Sequence, residues 1–138
     1  MKTLYIHIGT PKTGSSTLQH FFENNRETLL QKGVYYPADI SHERYGGYES
    51  TDGNFAWVTR LHPDMEEVRK KVQGMFRISE KVLLSTENIW LEIYDKESFF
   101  AGIRSIADDL EVKVIVYLRK QIDYLESQYR EWVRLILL

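Results

Sequence analysis

At 138 residues the chain is long enough for one domain with a real core, and its balance of 43% apolar and 28% charged residues is ordinary for a globular protein. A net charge of −2 argues against a nucleic-acid binder, and the absence of cysteine excludes disulfides, a thiol nucleophile and thiolate metal ligands. The apolar run after Lys2 is too short for a secretory core and no stretch approaches the roughly 20 apolar residues of a membrane helix, so the sequence reads as soluble and cytoplasmic.

In chain order, TLYIHI (Thr3–Ile8) ends at Gly9 and reads as a buried strand. Helical spacing follows from Ser15 to Gln31, with Leu18, Phe21, Phe22 and Leu29 near one face and Gly33 as the stop. VYYP (Val34–Pro37) reads as a short strand closed by its proline. Ala38 to Val58 is rich in glycine and polar residues and reads as a loop that carries Tyr45, Tyr48, Phe55 and Trp57. A helix is expected over Pro63–Phe76, a strand over Lys81–Thr86, and a helix capped by Asp95 that carries Phe99, Phe100, Ile103, Ile106 and Leu110. Val112–Leu118 is the clearest strand, and a last helix starts near Ile122 or Asp123, with Leu125, Tyr129, Trp132, Val133 and Ile136 on one side. Strands alternating with helices predict a single α/β domain: a three-layer sandwich around a parallel sheet, like that of P-loop nucleoside triphosphatases. Ligands of such sheets sit at the carboxyl ends of the strands.

The segment Gly9-Thr-Pro-Lys12-Thr13-Gly14-Ser15-Ser16-Thr17 joins a strand to a helix. Backbone amides at such a helix start, together with its dipole, favour an anion, and three consecutive hydroxyl residues add donors. The glycine spacing equals that of the nucleotide loop G-x-x-x-x-G-K-[ST], but the lysine lies inside the loop at Lys12. The nucleotide enzymes also hold Mg²⁺ with an aspartate at the end of a second strand. Here the candidate strands end in STEN and YLRK, so the pattern reads as a phosphate loop without a metal site. In the run RKQIDYLES, Arg119 follows the apolar strand and Ser127 comes eight positions later; taken alone, the run reads equally as an anion site or as a surface ion pair between Arg119 and Asp123.

PKTGSSTL resembles the 5′-phosphosulfate loop of sulfotransferases that use 3′-phosphoadenosine 5′-phosphosulfate (PAPS), and Arg119 with Ser127 resembles that family's 3′-phosphate motif. The resemblance spans about Thr3 to Arg134. It implies a transferase that moves a sulfuryl group from PAPS to a hydroxyl or amine of a small-molecule or carbohydrate acceptor. Lys12, Thr13, Gly14, Ser15, Ser16 and Thr17 would bind the phosphosulfate, Arg119 and Ser127 the 3′-phosphate, and no metal is called for. Lysine suits the task because charge develops on the leaving phosphate oxygen, and arginine because its fork donates two hydrogen bonds to one phosphate. Lys120-Gln121 departs from the Asn-Pro that often follows the family's arginine. Family members continue past the point where this chain stops, with a segment that closes over the adenine. The chain therefore reads as the N-terminal portion of the domain.

Acceptor deprotonation needs a base. Glu87, in LLSTENIW at a strand end, is the first candidate, against the alternative of a glutamate that braces the loop or caps the next helix. His42 and His62 flank the aromatic segment and are the next candidates; His7 and His20 read as packing residues. The aromatic segment serves equally as an acceptor platform or as a loop anchored by its own side chains. Two rival functions stay open. A P-loop kinase or triphosphatase predicts Mg²⁺-dependent ATP binding. A truncated, non-catalytic nucleotide-binding remnant predicts a stable fold, homo-oligomeric through the last helix, without turnover.

Overall fold

The computed structural model describes residues 1–10, 12–38, 42–45, 48–51, 53–55, 58, 65–89, 96–105, 107 and 109–136. Along the chain lie β1 (Thr3–His7), α1 (Ser15–Asn24), α2 (Arg26–Gln31), β2 (Val34–Tyr35), β3 (His42–Tyr45) and β4 (Tyr48–Thr51). They are followed by α3 (Met65–Met75), β5 (Lys81–Ser85), α4 (Lys96–Ser105), β6 (Glu111–Ile115) and α5 (Gln121–Ile136). Four strands form an all-parallel sheet in the order β2-β5-β1-β6, as the alternating pattern predicts for an α/β fold. Among the described residues no helix is long and apolar enough to cross a membrane.

The central strand alternates strictly. Leu4, Ile6 and Ile8 point to one face, where Val82 and Leu84 of β5 join Val68, Val72 and Phe76 from the α3 side and Phe99 and Ile103 of α4 in the core. His7 points to the other face, beside Ser85, and α1 lays Gln19 against Ser85 there. Helices thus contribute to both faces of the sheet. The register is level across three strands: His7 pairs with Ser85 on one side and with Ile115 on the other. The loops that follow these strands therefore leave the sheet at one rim.

Several boundaries differ from the sequence reading. The first helix is two helices, because Asn25 takes a non-helical φ of −116° and its side-chain amide donates to the Phe21 carbonyl. Gly33, at φ 78°, does end α2, and its N–H donates to the Leu30 carbonyl. The buried side chains of α1 are Ser15 and Gln19, whereas Phe21 is exposed, because the sheet surface they meet at the strand ends is polar. The expected loop from Ala38 to Val58 contains the antiparallel ribbon β3–β4. β6 stops at Ile115, short of the predicted Leu118, because the chain turns away to meet the loop after β1: the Thr10 hydroxyl donates to the Tyr117 carbonyl. Leu118, Ile122, Leu125, Tyr129 and Trp132 are exposed. Asp95, Ile106, Trp57 and Pro63 lie outside the described residues.

Residues 53–55 cross the end of β5 and hold it by hydrogen bonds. Asn54 is fully buried; its Nδ2 donates to the Pro37 and Leu83 carbonyls at 3.3 and 3.2 Å, and its Oδ1 accepts from the Ser85 N–H at 2.7 Å. The Phe55 N–H donates to the Ser85 carbonyl at 3.0 Å. Gly53 has φ 83°, and a Cβ there would collide with that same carbonyl. Truncating Asn54 leaves buried backbone groups unpaired, so Asn54→Ala is expected to lower stability by about 2–4 kcal/mol in urea denaturation. A change below about 0.5 kcal/mol would contradict the bridging role.

Candidate functional site

The loop after β1 is shaped by internal contacts. Gly14 caps α1 in the left-handed region at φ 86°, and the Leu18 N–H donates to its carbonyl at 3.1 Å. The Thr13 hydroxyl donates to the Thr10 carbonyl at 2.6 Å, so this side chain tightens the turn. Lys12 is also left-handed, at φ 65°, a conformation that costs a non-glycine residue on the order of 1 kcal/mol. α1 has no acidic residue in its first turn, so its N-terminal amides keep their partial positive charge without a local counter-charge from the helix itself.

The second anion group reaches this loop. Arg119 Nη1 donates to the Lys12 carbonyl at 3.0 Å, across 107 residues of sequence. The ion pair that the spacing also allows, Arg119 with Asp123, gives way to this contact. Ser127 lies on α5 and is half-buried.

A cleft of about 370 Å³ opens beside the loop, lined by Lys12, Gly14, Ser15, Ser16, Glu87, Gln128, Glu131 and Trp132. Ser15 is buried and donates from Oγ to Glu87 Oε2 at 2.5 Å. Glu87 therefore does brace the loop, and it also faces the cleft. Lys12 forms an ion pair with Glu131. Ser16 and Thr17 are exposed at the helix start. Sequence reasoning missed Gln128, Glu131 and Trp132. Their signal is helical spacing: Glu131 is four residues beyond Ser127, and Trp132 is four beyond Gln128, so these pairs share a side of α5. Neither Ser127 nor Arg119 lines the cleft wall formed by these residues. His62 lies outside the described residues, as does the side chain of His42. A hollow of about 430 Å³ lies between α4 and β6, lined by Phe100, Ile103, Arg104, Ala107, Leu110, Val112 and Val114, with one cation and no hydroxyl residue.

Beneath the loop lies a neutral polar cluster. His7 is buried, with Nδ1 and Ser85 Oγ at 2.8 Å, and Gln19 Nε2 donates to the same Oγ at 3.2 Å. Ser85 Oγ thus accepts from Gln19 and shares a second hydrogen bond with His7 Nδ1, whose direction depends on the imidazole tautomer. Nε2 is buried and has no hydrogen-bond partner among the described residues, and the ring packs under Gly9 and edge-on to Tyr117 at 5.5 Å. His7 is thus the packing residue the sequence suggests. No protein-family profile, curated protein or solved structure matches this chain.

Burial holds the His7 imidazole below the ordinary histidine value of 6.5. The unfolded chain therefore binds a proton that the folded chain resists, and the stability tied to His7 is present above that value and lost as pH falls below it. Thermal melts should show stability dropping from about pH 7.5 to about pH 5.5, and His7→Asn should flatten that drop. Equal slopes in both proteins would remove His7 from the acid response.

Proposed function

We propose that this chain is a PAPS-dependent sulfotransferase domain with a P-loop-like arrangement. The observation that carries the proposal is the hydrogen bond from the Arg119 guanidinium to the Lys12 carbonyl. Two anion-binding segments remote in sequence meet at one rim of the sheet, as a ligand phosphorylated at both its 3′ and 5′ positions requires. The left-handed turn at Lys12, the αL cap at Gly14 and the exposed hydroxyl of Ser16 beside the same cleft support the phosphosulfate role of the loop, while the Ser15 hydroxyl is engaged by Glu87.

In the proposed reaction an acceptor oxygen or nitrogen attacks the sulfur of PAPS in line. The S–O bond to the phosphate breaks, and its electron pair stays on the departing adenosine 3′,5′-bisphosphate. Lys12 stabilises the charge that develops on that oxygen. The acceptor's proton goes to Glu87, whose carboxylate faces the cleft and is held by Ser15. Ser16 and Thr17 donate to the sulfuryl and phosphate oxygens, and Ser127 assists Arg119 at the 3′-phosphate.

The test is a set of calorimetric titrations with adenosine 3′,5′-bisphosphate, AMP, and ATP with Mg²⁺. The bisphosphate is expected to bind best. Arg119→Ala should weaken it about ten- to a hundredfold, the usual range for a charge-assisted contact, and should weaken AMP, which lacks the 3′-phosphate and feels only the loss of the hold on the Lys12 turn, distinctly less. Lys12→Ala should weaken both. Preference for ATP with Mg²⁺ would overturn the proposal in favour of a kinase or triphosphatase.

A further inference from the structure

Lys12 is gripped at both ends by one segment of the chain. Arg119, just before α5, donates to its carbonyl, and Glu131, in the third turn of α5, pairs with its ammonium. We propose that Glu131 is a built-in competitor of the anion, a carboxylate that an incoming phosphate-type group must displace from Lys12 before the lysine can serve it. The inference rests on the reading above, in which Lys12 receives the phosphosulfate.

Three observations carry it. Glu131 is one of the residues lining the cleft together with the loop, so its charge stands where it opposes an anion as well as where it occupies the lysine. The pair is partly solvated, with side-chain exposures of 27% for Lys12 and 43% for Glu131, and pairs of this kind are weak enough to exchange partners. The same cleft holds a second such pair, with Glu87 accepting from the Ser15 hydroxyl. Two donors of the cleft, Lys12 and Ser15, are thus matched to carboxylates of the chain itself, and binding strength becomes a difference between the anion and these carboxylates. Glu131 is the exchangeable one: its partner is a flexible lysine, whereas Ser15 is buried. Neutralising Glu131 acts twice in the same direction, since it releases Lys12 and removes a repulsive charge.

Calorimetry at low salt with adenosine 3′,5′-bisphosphate and, separately, with inorganic pyrophosphate tests this on the wild type, Glu131→Gln, Lys12→Ala and the double variant. Glu131→Ala provides a second neutral replacement, and circular-dichroism melts check that each variant is folded. Glu131→Gln is expected to tighten both ligands about three- to tenfold, with the gain shrinking at high salt. In the Lys12→Ala background the gain should fall below about twofold, a coupling that a purely structural role for Glu131 would not produce. Unchanged or weaker binding by both neutral variants would overturn the inference, as would an equal gain with and without Lys12. If pyrophosphate tightens in Glu131→Gln while no variant binds the bisphosphate, the PAPS reading fails and the role of Glu131 stands. If the bisphosphate binds and Glu131 variants match the wild type, the PAPS reading stands and this inference fails. If neither ligand binds, both readings are overturned.

Discussion

β1 is paired in parallel over its whole length with β5 on one side and β6 on the other, and the geometry of the candidate site depends on that double register. The alternation of Leu4, Ile6 and Ile8 against Thr3, Tyr5 and His7 fixes it. A slip of one residue would turn the core face of β1 towards the polar cluster and bury His7 among Val68, Val72 and Phe99. With the register set, His7, Ser85 and Ile115 end level. Their following segments bring the glycine loop, Glu87 and Arg119 to one rim, held there by cross-links from Ile8 N–H to the Ile115 carbonyl and from Thr86 N–H to the His7 carbonyl, each 3.0 Å.

Two kinds of polar contact meet at this rim, and their magnitudes separate their tasks. The cluster of His7, Ser85, Gln19 and Asn54 is buried and made of neutral groups, where a lost partner costs about 1–3 kcal/mol. It fixes the floor of the loop. The charged contacts of Lys12 and Arg119 lie at the solvent side and are worth about 1 kcal/mol or less each, so they can be exchanged for a ligand's. A buried neutral floor thus lies under a partly solvated charged surface.

The left-handed turn at Lys12 links the two layers. A lysine at φ 65° persists only when its surroundings determine it, and here the Arg119 guanidinium holds its carbonyl while the Thr13 hydroxyl closes the turn onto Thr10. The backbone cost at Lys12 is therefore offset in part by a contact from the segment that follows β6, the edge strand beside β1. Loop geometry and the position of α5 become one structural variable, and a change in either reaches the other.

Local pattern alone determined the strand cores, the helix stop at Gly33, the loop between Gly9 and Gly14, and the candidates Lys12, Ser15, Glu87 and Arg119, because alternation, left-handed glycines and strand-end placement are properties of neighbouring residues. Even there, chemistry local to one residue escaped the periodicity: Asn25 breaks the first helix through its own side chain, and β3–β4 hides in a glycine-rich stretch whose pairing depends on its partner strand. Only the tertiary structure decided that Arg119 turns to the Lys12 carbonyl and not to Asp123, that Asn54 ties β5 to the turn after β2, and that Glu131 rather than Ser127 lines the cleft beside Lys12. These choices join residues separated by tens to a hundred positions. Chain separation says nothing about which of several chemically suitable partners lies nearest once the sheet register and the packing of α5 are fixed.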